Sequence, residues 1–109
     1  IGSNGHIAFN EPADCFQRWS HVVTLKESTV KDNSRFFKSI DEVPTQAVTM
    51  GIGSIMQAKK ILIIAIGENK AKAIKQLIDG NVTPMCPASV LQFQTDVTLM
   101  LDKAAASLI

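Results

Sequence analysis

The sequence has few of the features that mark several large classes of protein. Its 11 basic and 10 acidic side chains leave a net charge of only +1, and neither a basic run nor an acidic tail occurs. Nucleic acids and anionic membrane surfaces are bound through such clusters of charge. The longest apolar stretch, residues 61–67, is far too short to cross a bilayer. We therefore expect neither nucleic acid nor a membrane as a partner.

Cysteine and histidine are also scarce. Cys15 and Cys86 are the only cysteines; they have no CxxC spacing, and the chain has no histidine cluster. This pattern favours two reduced, partly buried thiols over a zinc site or a disulfide framework. The chain opens at Ile1 without the charged and apolar segments that are typical of a secretory leader. We expect a cytoplasmic protein without a bound metal.

What the sequence does contain is an alternation of strands and helices. Hydrophobic residues make up 46% of the chain, which is typical of a globular domain. Apolar and β-branched runs predict strands at residues 21–25, 47–50, 61–66 and 97–101. Thr29, with Asp32 three residues later, resembles a capping box and predicts a helix through residue 37. Further helices are predicted at 53–59, at 71–79 with Gly80 as its C-cap, and from Lys103 after an Asp102 cap. The alternation predicts an α/β fold with an open, mostly parallel sheet and helices on both faces, which is Rossmann-like and half of a larger domain.

One strand and its following helix stand out. Residues 61–66 are apolar at every position, which is typical of a strand buried on both faces of a parallel sheet. Residues 71–79 place apolar side chains at helical spacing. Ligands bind beyond the carboxyl ends of such strands, so residues 67–70 between the two elements form a candidate site.

The first candidate constellation lies in the opening loop. His6 has a pKa close to neutrality, and Glu11 could orient its ring and stabilise its protonated form. Asn4 could bind the second ring nitrogen or a substrate hydroxyl. From spacing alone, the alternative is a surface loop with an incidental histidine.

The second candidate constellation carries positive charge. Lys70 follows Gly67 at a predicted helix N-terminus, where free N–H groups and the helix dipole attract anions. Arg35 could bind phosphate through its planar fork. The GxxxxGK[ST] pattern of a Walker A loop is absent. The alternatives are a solvated lysine and an arginine whose stem covers Phe36.

Several of these segments together resemble one family. Residues 5–12 read Gly-His-Ile-Ala-Phe-Asn-Glu-Pro, which resembles the signature of the glucosamine-6-phosphate deaminases. The resemblance continues through Asn-Ser-Arg-Phe-Phe at 33–37, Ala-Val-Thr-Met-Gly at 47–51, Gly-Glu-Asn-Lys-Ala at 67–71 and Pro-Ala-Ser-Val-Leu-Gln at 87–92. Related 6-phosphogluconolactonases share the Gly-His element but differ beyond it.

The resemblance implies an activity and roles for the site residues. The family converts glucosamine 6-phosphate and water to fructose 6-phosphate and ammonia, without a redox cofactor or metal. It makes His6 the acid and base that opens the sugar ring, assisted by Asn4 and Glu11. Arg35 and Lys70 match the phosphate ligands. With asparagine at position 4, a simple carboxylate–histidine–carboxylate relay is not available.

The resemblance also predicts what this chain does not contain. The family's enolising aspartate and a second phosphate loop would lie upstream of Ile1. We therefore expect this chain to be the C-terminal half of a deaminase and to be inactive alone. The parent enzyme could form a homo-oligomer. The segment at 18–23 lacks the pattern of basic residues seen in members activated by an N-acetylated sugar phosphate. Two alternatives stay open: a galactosamine-6-phosphate isomerase, and a regulatory module that binds sugar phosphates without turnover.

Overall fold

The secondary structure consists of short elements. A computed structural model describes all residues from 1 to 109. The strands are β1 (His21–Thr24), β2 (Gln46–Thr49), β3 (Ile61–Ala65) and β4 (Val97–Leu101). The α-helices are α1 (Glu27–Asn33), α2 (Ile52–Ile55) and α3 (Ala71–Asp79). Tight 3₁₀ turns occupy Ser34–Phe36, Ile40–Glu42, Glu68–Lys70 and Pro87–Phe93. No helix has the length and apolar character that a membrane crossing requires.

The strands form two separate pairs. β1 and β2 are antiparallel, with Val22 opposite Val48. β3 and β4 are parallel in the register Ile61 to Val97, and α3 lies between them in the sequence. The predicted α/β class is confirmed. The larger Rossmann-like arrangement, an open sheet with helices on both faces, stays a prediction, because each pair contains only two strands.

The core is built on one side of the β3–β4 pair. Ile74 of α3 is fully buried, and Leu77 one turn later is nearly so. They pack with Ile63 and Ala65 of β3 and with buried side chains of the Pro87–Phe93 turn. The predicted amphipathic helix is therefore confirmed, and its apolar face anchors the strand that leads to the candidate site.

The prediction that this strand is buried on both faces is wrong. Successive side chains of a strand point to opposite faces. Ile63 and Ala65 are buried, whereas Leu62 and Ile64 are each 54% exposed and Ile66 is 69% exposed. The second face has no covering element in this chain, so an uninterrupted apolar run does not establish that both faces are packed.

Two predicted helix starts are also wrong. The first helix begins at Glu27, with Lys26 as its N-cap, so Thr29 lies inside the helix and is buried. No helix follows Asp102; a series of turns does, although Asp102 Oδ1 accepts a hydrogen bond from the Ala105 N–H at 2.7 Å, as a capping residue would.

The two cysteines behave differently from each other. Cys86 is buried, and burial raises the pKa of its thiol. Cys15 is exposed, which corrects the expectation that both thiols are partly buried.

Candidate active site

The opening loop folds back on itself to hold the ring of His6. The Gly2 N–H donates to the His6 carbonyl at 2.8 Å, and the Gly5 N–H donates to the Gly2 carbonyl at 3.0 Å. A Cβ atom at Gly2 would collide with the imidazole of His6. Glycine at position 2 is therefore a requirement of this loop, because the ring lies directly against the backbone.

Asn4 connects His6 to Glu11. Asn4 Oδ1 lies 2.8 Å from His6 Nδ1, and Asn4 Nδ2 donates to Glu11 Oε2 at 2.8 Å. Glu11 Oε2 itself is 3.6 Å from His6 Nδ1, which is an ion-pair distance rather than a hydrogen bond. The structure thus brings the three predicted residues together, and the carboxylate orients the ring through the amide instead of directly.

This connection fixes the tautomer of the neutral histidine. A carboxylate can only accept, so the amide of Asn4 must turn its NH₂ group toward Glu11 and its oxygen toward His6. The amide oxygen can only accept in turn, so Nδ1 of His6 carries the hydrogen. Nε2 then carries the lone pair, and it makes no hydrogen bond to any other residue of the chain. The ring therefore has one nitrogen that is free for chemistry.

The first helix supports the same group from the other side. Glu11 is buried, and its second oxygen, Oε1, accepts the backbone N–H of Lys26 at 3.1 Å. Thr29, in the first turn of α1, places its hydroxyl 3.5 Å from His6 Nδ1. Both oxygens of Glu11 are therefore engaged, one by the loop and one at the start of the helix.

The surroundings of His6 also set its charge. Burial lowers the pKa of His6, while the carboxylate of Glu11 raises it and the ammonium of Lys70 lowers it, each by less than burial does. An imidazole whose pKa is lowered from its ordinary value near 6.5 is neutral at pH 7. Nε2 can then act as a base and return the proton as an acid.

The cationic end of the site begins where β3 ends. Gly67 follows the strand with φ of +94°, a left-handed conformation that favours glycine. The Lys70 N–H donates to the Gly67 carbonyl at 3.1 Å, which closes the 3₁₀ turn. After this turn, Lys70 lines the same pocket as Gly2 and His6 of the opening loop.

A single pocket of about 180 Å³ is lined by His6, Arg35 and Lys70. A neighbouring pocket of about 400 Å³ shares Arg35 and Lys70 and is floored by Ile64 and Ile66. The guanidinium of Arg35 also lies over the ring of Phe36, 4.8 Å from its centroid. The aromatic contact considered as an alternative is therefore present, and Arg35 nevertheless lines the pocket.

Three side chains of the site were not identified as such from the sequence. Thr29 and Asp32 were interpreted only as a helix start, although Asp32 lines both pockets and accepts a hydrogen bond from the Ser3 hydroxyl at 2.6 Å. Residues three apart share a helix face, so the spacing of this pair could have placed them together. Asp102 was interpreted only as a cap, and its contact with Gly67 joins residues 35 apart in the chain.

A metal site is not apparent. The structure contains no group of three or more His, Cys, Asp or Glu side chains that could hold a metal ion.

The residues that converge in the pocket are the imidazole of His6, whose tautomer is fixed, and the cations Arg35 and Lys70. They lie at the carboxyl end of a parallel strand, in an α/β chain. This combination defines a class of site in which a titratable imidazole lies next to a cationic pocket.

The known proteins that this chain resembles are glucosamine-6-phosphate deaminases. No protein-family model matches the chain. The chain is 60% identical over all 109 residues to a glucosamine-6-phosphate deaminase of Clostridium botulinum (strain Alaska E43 / Type E3), covering 44% of that protein. It is 58% identical over 109 residues to one of Thermoanaerobacter pseudethanolicus, covering 43% of it. The solved structure of a monomeric glucosamine-6-phosphate deaminase superposes with a TM-score of 0.95 at 50% identity, over 100% of this chain and 45% of that one.

Over its whole length the chain is similar to one part of the glucosamine-6-phosphate deaminases. It spans less than half the length of the relatives that it matches.

Proposed function

We propose that the protein to which this chain belongs converts glucosamine 6-phosphate and water to fructose 6-phosphate and ammonia, in the cytoplasm and without a metal or redox cofactor. The observation that carries the proposal is the pocket in which His6 lies beside Arg35 and Lys70. An acid–base group next to two cations suits a substrate that has a reacting sugar ring at one end and a phosphate at the other.

In this proposal His6 opens the sugar ring. Nε2 accepts the proton of the anomeric hydroxyl, the bond between C1 and the ring oxygen breaks, and the electron pair on the hydroxyl oxygen becomes the C1 carbonyl. The proton then passes from Nε2 to the former ring oxygen. During the transfer the imidazolium is stabilised by Asn4 Oδ1 at 2.8 Å and by the nearby Glu11 carboxylate at 3.6 Å.

Arg35 and Lys70 hold the phosphate of the substrate in this proposal. Both line the pocket of about 180 Å³ and the adjoining pocket of about 400 Å³, so a phosphate could bind between them while the ring reaches His6. A guanidinium and an ammonium give charge-assisted hydrogen bonds to phosphate oxygens.

The movement of a proton between C2 and C1 needs another base. Glu11 does not fit this step, since Asn4 and Lys26 already occupy its two oxygens. We assign the step to a residue of the parent protein outside the 109 residues, which makes this chain the C-terminal half of the enzyme domain. The chain by itself then releases no ammonia from glucosamine 6-phosphate.

The test is ammonia release by the full-length parent protein. His6→Gln should lower turnover of the cyclic substrate by about 100- to 10,000-fold, the usual contribution of general acid–base catalysis. His21→Gln is the matched control, because His21 only contacts the Trp19 carbonyl through Nδ1 at 2.9 Å. Full activity of the His6 variant would overturn the role of His6. Phosphate binding without any ammonia release by the unaltered parent would favour the regulatory module. Faster release from galactosamine 6-phosphate would favour the isomerase of that sugar.

A further inference from the structure

Asp102 is connected to the cationic turn by its side chain. It follows β4, the partner of β3, and both of its carboxylate oxygens lie 3.1 Å from the backbone nitrogen of Gly67. One of these oxygens, Oδ1, also accepts the Ala105 N–H at 2.7 Å. The backbone N–H of Asp102 donates to the Ala65 carbonyl at 3.3 Å, so the residue is held at the end of β3 by its main chain as well.

Gly67 transmits this contact to Lys70. The carbonyl of Gly67 accepts the Lys70 N–H at 3.1 Å, while the N–H of Gly67 is held by Asp102. Gly67 has φ of +94°, so without this contact it has access to other backbone conformations on both sides of φ = 0. The direction in which the 3₁₀ turn leaves the strand therefore depends on the carboxylate of Asp102.

We propose that Asp102 is a positioning residue for phosphate binding, which acts by fixing the conformation of Gly67 and thereby the place of Lys70 in the pocket. The inference rests on the proposed role of Lys70 as a phosphate ligand. Asp102 itself touches no phosphate in this proposal. By fixing the place of Lys70, Asp102 strengthens phosphate binding. Its negative charge repels phosphate and weakens binding, so the two effects have opposite signs.

The opposite signs make a decisive experiment possible. The full-length parent protein is titrated with inorganic phosphate by calorimetry, as unaltered protein and as the Asp102→Ala, Asp102→Asn and Lys70→Ala variants. Asp102→Ala should weaken phosphate binding by about 10-fold, because it misplaces a charge-assisted hydrogen bond that is worth about one to two decades in affinity. Asp102→Asn should restore most of the affinity, because its amide oxygen can still accept from Gly67 and Ala105.

A double variant separates positioning from a general loss of structure. If Asp102 acts through Lys70, the pair Asp102→Ala and Lys70→Ala should bind phosphate no more weakly than Lys70→Ala alone, whereas independent effects would multiply. Asp96→Ala is the matched control. Asp96 lies at the opposite end of β4 and contacts only Lys60 by its side chain, at 3.6 Å, so phosphate affinity should not change.

Each outcome bears on a different claim. Unchanged or tighter phosphate binding by Asp102→Ala, with weaker binding by Lys70→Ala, overturns the positioning role and leaves the proposed function intact. Multiplying losses in the double variant also overturn it. Unchanged binding by Lys70→Ala removes Lys70 from the phosphate site, and the role of Asp102 falls with it. Ammonia release by the unaltered parent is measured separately and tests the enzyme activity alone.

Discussion

Asn4 and His6 are joined by a hydrogen bond of 2.8 Å between the amide oxygen and Nδ1 of the ring. The same amide donates to Glu11, so the loop contains a neutral spacer between an imidazole and a buried carboxylate. The spacer holds the ring and fixes its tautomer without placing a full negative charge on Nδ1. Burial lowers the pKa of His6, so the histidine is neutral near pH 7, which is the state that can accept a proton from a sugar hydroxyl.

Asn4→Asp should raise the pKa of His6. A carboxylate in hydrogen-bond contact with Nδ1 stabilises the imidazolium, and an opposite charge at such a distance typically moves a pKa by about one to three pH units. The measurement is a proton NMR titration of the two histidines. His21 serves as the internal reference, since it lies outside this pocket and contacts a backbone carbonyl. A pKa for His6 that stays in place or falls would show that the hydrogen bond does not govern its protonation.

The stability of the chain should fall on the acidic side of neutrality because of His6. Burial lowers the pKa of His6 in the folded chain below its ordinary value of 6.5, so below that pH the unfolded chain binds more protons than the folded one. The contribution of His6 to the free energy of unfolding is therefore fully present above pH 6.5 and is lost as the pH falls from there through the folded pKa. The N-terminal ammonium of Ile1, whose pKa burial also lowers from 8.0, adds a decline that begins at higher pH.

Urea unfolding of the chain between pH 5 and pH 8 measures this decline. His6→Gln should reduce the slope of the pH profile below pH 6.5, while the slope that the Ile1 ammonium contributes should remain. Equal slopes for the His6 variant and the unaltered chain would mean that other groups cause the acid sensitivity.

Arg35→Ala and Lys70→Ala should each weaken the binding of phosphorylated sugars by the full-length parent. A hydrogen bond to a charged group contributes roughly 1.5–3 kcal/mol, which corresponds to about one to two decades in affinity. Inhibition by inorganic phosphate should weaken in parallel, because it competes for the same cations. Lys75→Ala is a suitable control, since Lys75 pairs with Asp79 at 2.9 Å on the exposed side of α3. Undiminished affinity in both variants would place the phosphate elsewhere.

Sequence patterns predicted the features that form within short stretches of the chain. The run at 61–66 and the helical spacing that follows it correctly predicted where β3 and α3 lie. The helical spacing also gave the buried face of α3, because periodicity distinguishes the two faces, whereas the uninterrupted run could not show which face of β3 is buried. The convergence of His6 with Asn4 and Glu11 was also foreseeable, since all three belong to one short loop. That Arg35 and Lys70 line the same pocket as His6 is a long-range result, and the resemblance to a family indicated it better than spacing did.

Other features depend on tertiary contacts that no local pattern contains. Thr29 is a residue type that often caps a helix, but the helix begins at Glu27. There the buried Glu11 carboxylate accepts the N–H of Lys26, the N-cap residue. Asp102 was predicted to cap a following helix; its carboxylate accepts the Ala105 N–H as a cap would, and it also accepts the Gly67 N–H from the neighbouring strand end, which no local pattern indicates. In both cases the side chain or backbone group that makes the contact lies many residues away in the sequence, so the local sequence could not indicate it.

The uncovered face of β3 should make the isolated chain self-associate. Leu62 and Ile64 are each 54% exposed on this face, and Met100 of the neighbouring strand is 57% exposed. Contiguous exposed apolar side chains on a sheet are characteristic of surfaces that bind other protein.

Ile64→Lys should therefore shift the chain toward the monomer in sedimentation velocity runs at increasing concentration, because burying a charge at the centre of the face without a partner of opposite charge is costly. Val48→Lys is the matched control, since Val48 is 76% exposed on the separate β1–β2 pair. Circular dichroism should show the same secondary structure in both variants. A chain that is monomeric at every concentration, or association that Val48→Lys reduces as much as Ile64→Lys does, would show that the β3 face is not the surface responsible.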